Sequence, residues 1–202
     1  MRPATYFFKR RMTMVVPLQP DVEGWTSESN GLYRTWVFSL QQVQDFTDFT
    51  NLFGLYKLSA VNVEMTLSST NANVNTASAS MNPSQIIVYT APNPIGFNET
   101  LNEVYFLNTS SAKKRNLMNS NGRSSNFYMP LKQATQVFAG VSNDDYAVQR
   151  PKFISTSESA TPHYGIDMRM QRVDGLPFSS GYSGDMYMKI TTTYYIQCKQ
   201  VQ

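Results

Sequence analysis

Charge is in short supply along this chain of 202 residues. Charged side chains make up 15% of it, against roughly 25% in an average soluble protein. The surface is therefore polar through Ser, Thr, Asn and Gln rather than through ions. Two readings fit the shortage: neighbouring copies bury much of the surface, or the chain is simply rich in Asn and Ser. The first is preferred. Lys and Arg outnumber Asp and Glu by only 17 to 14, for a net charge of +3, and no dense basic arm is present. A single cysteine, Cys198, excludes an internal disulfide framework and a cysteine-only metal site, and fits folding in a reducing compartment. No run of about 18 apolar residues occurs, so no membrane insertion is expected. The opening residues Met1 to Tyr6 lack the apolar segment of a signal peptide. Without such a signal the glycosylation patterns at Asn98 and Asn108 read as chance matches.

What the chain does have is the material of strands. Aromatics reach 13%, with 12 Tyr and 12 Phe, and Thr and Val are plentiful. Strands are expected from Thr5 to Val16, ended by Pro17 and Pro20, and from Tyr33 to Leu40, with Trp36 and Phe38 on one face. From Leu58 to Leu67 the alternation is strict: Val61, Val63, Met65 and Leu67 point one way, Asn62, Glu64 and Thr66 the other. Further strands are expected from Gln85 to Thr90, Lys113 to Leu117, Asn126 to Pro130 and Pro151 to Thr156. The last two run from His163 to Val173 and from Met186 to Gln200, both alternating. Turn chemistry at Asn119-Ser120-Asn121-Gly122 separates two of them. Polar or mixed stretches from Asp21 to Asn30, Ser68 to Ser84, Gln133 to Gln149 and Leu176 to Gly184 read as loops.

Two short helices interrupt the strands. Phe46, Phe49 and Phe53 recur at three and four residues, one face of a helical turn, and Gly54 is expected to close it in the left-handed conformation. Asp45 and Asp48 favour the amino-terminal end of that helix. Thr100-Leu101-Asn102-Glu103 has the spacing of a capping box and opens a helix through Phe106. About eight antiparallel strands with one or two short helices, no repeat and no linker define an all-β chain with one domain, residues 1–202. Strand counting leaves an immunoglobulin-like sandwich open, while the placement of the helices favours a single jelly roll.

The ordered signatures of this chain resemble the capsid proteins of circular single-stranded DNA viruses, the circoviruses and their relatives. Tyr6-Phe7-Phe8-Lys9-Arg10 resembles their aromatic and basic opening strand, and the step Tyr56-Lys57-Leu58 into alternating Val resembles their helix-to-strand junction. Lys113-Lys114-Arg115 lies where they carry a basic strand, followed by Phe127-Tyr128-Met129-Pro130. Pro151-Lys152-Phe153-Ile154, Pro162-His163-Tyr164-Gly165-Ile166 and Thr191 to Gln197 resemble their later segments. The departure is the Arg-rich amino-terminal arm, in whose place this chain offers only Lys9-Arg10-Arg11. The resemblance implies a coat protein that self-assembles into a small icosahedral, T=1-like shell around a circular single-stranded DNA genome. It further implies a virion protein assembled in the host cell, in the nucleus, with a host receptor as a further partner.

Catalysis finds little support. His163 could be served only by Asp167, and in a regular strand the two would share a face about 13 Å apart, too far for a hydrogen bond. A histidine packed beside Pro162 is the plainer reading, and no enzyme activity, metal or cofactor is expected. Asp144-Asp145 is a carboxylate pair of the kind that is usually solvated. Lys9, Arg10 and Arg11, and Lys113, Lys114 and Arg115, are either solvated surface or, on the inner wall of a shell, phosphate contacts. Tyr6 and Phe8 stand close to the first triplet as candidate stacking residues. Only alternate members of a triplet share a strand face, so one or two of each would touch nucleic acid. The competing reading is a lectin-like sandwich that stacks sugars on exposed aromatics such as Tyr182 and Tyr187.

Overall fold

The computed structural model describes residues 4–21, 24–69, 85–93, 101–118, 124–136, 146–173, 175, 177–178 and 186–201. Most of the expected loop from Ser68 to Ser84, the turn at 119–122, the Asp144-Asp145 pair and most of the stretch from Leu176 to Gly184 lie outside them. Strands β1 (Tyr6–Pro17), β2 (Thr26–Glu28) and β3 (Gly31–Phe38) come first, then helix α1 (Phe46–Leu52) running directly into β4 (Phe53–Ser69). Strand β5 (Gln85–Pro92), helix α2 (Glu103–Asn108), β6 (Lys113–Met118) and β7 (Ser124–Pro130) follow. The chain continues with β8 (Lys132–Gln136), β9 (Tyr146–Gln149), β10 (Ile154–Ser155), β11 (His163–Arg172) and β12 (Met186–Val201).

The pairings are those of one long hairpin rolled up. β1 pairs with β12, β3 with β11, β4 with β7 and β5 with β6, all antiparallel. Rolling adds the pairs β12 with β4 and β11 with β5. Two sheets result, one with the order β1-β12-β4 and both β7 and β10 on β4, the other with the order β2-β3-β11-β5-β6 and β8-β9 attached to β11. This is a jelly roll. The core lies between the sheets, and Val61, Val63, Met65 and Leu67 of β4 all sink into it, as do Met188, Ile190, Tyr194, Ile196 and Cys198 of β12. Each large aliphatic side chain so buried contributes about 1.5–3 kcal/mol, and a one-residue slip would turn the whole row outward. Trp25, Trp36 and Phe38 continue the core towards β3, with the two indoles edge to face at 6.4 Å.

Several local expectations are corrected. Gly54 does not close α1 in the left-handed region; Phe53 caps the helix in an extended conformation and leads straight into β4. The positive φ sits at the other end, on Asp45 (φ 63°), whose carbonyl accepts from the Asp48 N–H at 3.0 Å. Residue 54 packs closely against Gln200, whose side-chain Oε1 would lie 3.1 Å from a Cβ built there. Helix α2 is capped not by Thr100, which lies outside the described residues, but by Asn102, whose side chain accepts from the Tyr105 N–H at 2.9 Å. Glu103 is left to accept from the Tyr89 hydroxyl at 2.7 Å. Strand β2 lies within the stretch expected as a polar loop, because Trp25 before it is buried and pins it to β3. Strands β8 and β9 occupy the stretch expected as a mixed loop and pair with each other.

Candidate nucleic-acid interface

Alternation divides the first basic triplet between two faces. Tyr6, Phe8 and Arg10 turn towards α1 and the start of β4. The Phe8 ring meets Phe49 edge to face at 5.3 Å and Phe53 at 5.5 Å, and Tyr6 lies 5.5 Å from Phe53. The Arg10 guanidinium lies over the same aromatics, 5.2 Å from the Phe49 ring and 5.7 Å from Phe8. Those three side chains therefore close the end of the sandwich. Lys9 and Arg11, both exposed, take the opposite face of β1, with Lys9 Nζ 5.7 Å from the Tyr195 ring of β12.

That opposite face is the outer surface of the first sheet. Beside Lys9 and Arg11 it carries Lys189, Thr191, Thr193, Tyr195, Gln197 and Lys199 of β12, then Lys57, Ser59, Asn62, Glu64 and Thr66 of β4, and Asn126 and Tyr128 of β7. Hydroxyls and amides knit the strands together: Thr13 to Thr191 at 3.1 Å and Asn62 to Asn126 at 3.1 Å. Lys57 and Lys199 converge on Phe153, 6.0 and 4.1 Å from its ring. Five cations thus stand among these strand residues with one carboxylate, Glu64. Rings are interleaved with them: Tyr128 and Tyr195 meet edge to face at 5.7 Å across the small residues of β4. Sequence inspection for contiguous triplets passed over Lys57, Lys189 and Lys199, each an isolated lysine in its own strand. The one signal available was their placement on the polar phase of strands whose apolar phase is strict.

The second triplet belongs to the other sheet. Arg115 reaches from β6 to β7, donating to Ser125 Oγ at 3.0 Å and to the Asn126 carbonyl at 2.8 Å, with its guanidinium 4.6 Å from the Phe127 ring. It ties the two sheets together. Lys114 lies 5.4 Å from the Tyr89 ring, and Lys113 is exposed at the rim of a cleft that contains Phe127, Met129 and Ile166. Arg115 is seated on β7, three strands from β1 in the first sheet, which alone sets a sideways separation of about 14 Å between those strands. The two triplets do not form one patch.

His163 and Asp167 are kept apart by backbone geometry. The register of β11 on β3 shifts between Tyr164 and Ile166, and this bulge reverses the phase of the strand. His163 consequently lies on the core side, fully buried, its Nδ1 3.0 Å from the Thr161 carbonyl oxygen. Burial pushes its pKa down to about 4. Asp167 lies on the far side of the sheet and accepts from Thr35 Oγ1 at 2.7 Å, Asn93 Nδ2 at 2.9 Å and the Tyr105 hydroxyl at 2.9 Å. Next to it Arg169, also buried, donates to Glu28 at 2.8 Å and to the Leu101 carbonyl at 3.0 Å. The expected even-spaced pair on one face is replaced by a core histidine and a carboxylate that fastens α2. The polar phase of β11 is covered by Leu101, Phe106 and their neighbours.

A sandwich wound in this way belongs to the class of jelly rolls, the architecture of viral coat, lectin and cupin domains. The family model described as "Circovirus capsid protein" matches residues 1–202, and the chain belongs to that family. Its role is that of a viral capsid protein, a component of the virion. The BFDV capsid protein, solved as a 60-mer, superposes with a TM-score of 0.64 at 15% identity, covering 99% of this chain and 96% of that one. The decameric form of the BFDV capsid protein gives a TM-score of 0.54 at 17% identity, over 98% and 100% of the two chains. A chain of mud crab tombus-like virus gives 0.50 at 10% identity, over 100% and 84%. Comparison with curated protein sequences finds no match.

Proposed function

We propose that copies of this chain, each folded as one domain over residues 1–202, close into a small T=1-like icosahedral shell around a circular single-stranded DNA genome. In this reading the outer face of the β1-β12-β4-β7 sheet lines the interior. The observation that carries it is the gathering of Lys9, Arg11, Lys57, Lys189 and Lys199 on one face of a circovirus-family capsid chain that is otherwise poor in charge. Cations on the inner wall neutralise genome phosphates and release their counterions on binding. Closed symmetry needs complementary patches on every copy, and loop-rich polar interfaces agree with the low charge content.

The BFDV relatives solved as a 60-mer and a decamer support homo-oligomeric assembly. The role is structural rather than enzymatic. Assembly takes place in the host cell, in the nucleus, and a host receptor is met by surfaces turned away from the genome. Family membership weighs against the lectin-like alternative; of its two tyrosines, Tyr182 is outside the described residues and Tyr187 is half-buried beside Pro17. The test is size-exclusion chromatography with negative-stain microscopy of the purified chain, followed by nuclease treatment. Closed particles that protect single-stranded DNA are expected. A protein that stays monomeric at high concentration would sink the reading.

A further inference from the structure

We infer that the groove between β1, β12 and β7 on this sheet face is a stacking site for one unpaired nucleobase. The inference rests on the reading of the sheet as the genome-facing wall, and adds to it a defined pocket and a preference for single strands. The groove measures about 270 Å³ and is lined by Phe7, Lys9, Ser59, Tyr128, Tyr195 and Gln197 among others. Phe7 and Tyr128 are 73% and 66% exposed. Exposed aromatics grouped around one groove mark a candidate binding surface.

The backbone explains why the groove exists. The register between β12 and β4 shifts between Tyr195, opposite Ala60, and Ile196, opposite Leu58. Ser59 is the extra residue of that bulge, and its hydroxyl donates to the Tyr195 carbonyl at 3.0 Å. A small side chain at this point leaves a depression over β4, and across it the Tyr128 and Tyr195 rings touch. Bulges commonly re-aim side chains in this way beside binding sites.

The parts match one chemistry. Rings on the walls offer π-faces, which any base can use. The Gln197 amide can donate and accept at a base edge. Lys9, already 5.7 Å from the Tyr195 ring, and Arg11 beyond it supply charge for the adjoining phosphates. Sugars could use the rings but would leave the row of cations without a counterpart. A duplex offers the same phosphates but covers its base faces by its own stacking, so the pocket discriminates in favour of unpaired strands.

The experiment compares binding of a labelled oligothymidylate and of a duplex of equal length to the full chain, across a salt series. The variants are Tyr128→Ala with Tyr195→Ala, the same two positions changed to Phe, and Phe7→Ala as an independent probe at an exposed edge position. The alanine pair should lose about tenfold or more in single-strand affinity with its salt slope unchanged, and duplex binding should stay as it was. The phenylalanine pair should bind like the unaltered chain, and Phe7→Ala should lose several-fold. Equal affinity of the alanine pair and the unaltered chain for the single strand would overturn the pocket while leaving the charged wall standing. So would an alanine pair that assembles poorly yet binds normally, since the groove would then be a contact between copies. An unaltered chain that binds neither form of DNA would overturn the wall and the pocket together.

Discussion

Gly165 is the residue on which the bulge of β11 turns. A Cβ at this position would meet the Phe38 ring at 2.6 Å and Met129 Sδ at 3.0 Å, both packed against the core. Gly165→Ala should therefore destabilise the fold by about 1–3 kcal/mol, as overpacking does, visible as a lower midpoint in thermal or urea denaturation. An unchanged midpoint would mean that Phe38 can yield. Two residues earlier, the buried His163 ring makes stability depend on acid. Its folded pKa of about 4 lies below the ordinary 6.5. Between those values the unfolded chain takes up a proton that the folded chain refuses, so stability falls as pH drops from 6.5 towards 4. The full loss is on the order of 3 kcal/mol. His163→Asn should flatten that limb of the stability curve, and a variant with the same slope as the unaltered chain would assign the acid sensitivity elsewhere.

At the scale of the element, β1 divides three adjacent cations between two faces. Lys9 and Arg11 face the outer surface of the sheet, while Arg10 lies on Phe8 and Phe49. Lys9→Gln with Arg11→Gln should reduce the salt slope of single-strand binding by roughly 1.4, two phosphate contacts at about 0.7 each, and leave the melting temperature nearly unchanged. Arg10→Gln should do the reverse, sparing the slope and loosening the contact of β1 with α1. Salt titrations and melting curves on the two variants decide it; equal slopes would refute the division of faces. Strands such as β4 and β12 were legible in the sequence because an unbroken period of two needs only local residues to declare itself. β2, β8 and β9 were not, since short strands take their identity from partners far along the chain. The same limit hid the site. A triplet is visible as a run, but a wall assembled from single lysines on β1, β4 and β12 becomes visible only once the register is known. The contacts of Asp167 and Arg169 beneath α2 stayed hidden for a related reason: alternation tells which residues share a face, not what covers it.

For the whole molecule, β12 is the hinge of the architecture, paired along its length with β1 on one side and β4 on the other. A chain ending before Met186 should lack a folded core altogether, giving no cooperative melting transition by circular dichroism. A cooperative transition in that truncated chain would show that the second sheet can fold on its own. The pairing also has a consequence in time. Tyr6 finds its partner in Cys198, so β1 waits until β12 has been translated before its pairing can be satisfied. At about 5–20 residues per second that delay is on the order of ten to forty seconds, during which an aromatic edge strand is exposed at the ribosome. Non-local closure of this kind folds slowly and is open to aggregation. It also acts as a check on completeness: a chain that stops short of β12 has no finished first sheet, so neither the row of Lys9, Arg11, Lys57, Lys189 and Lys199 nor the closed sandwich is assembled.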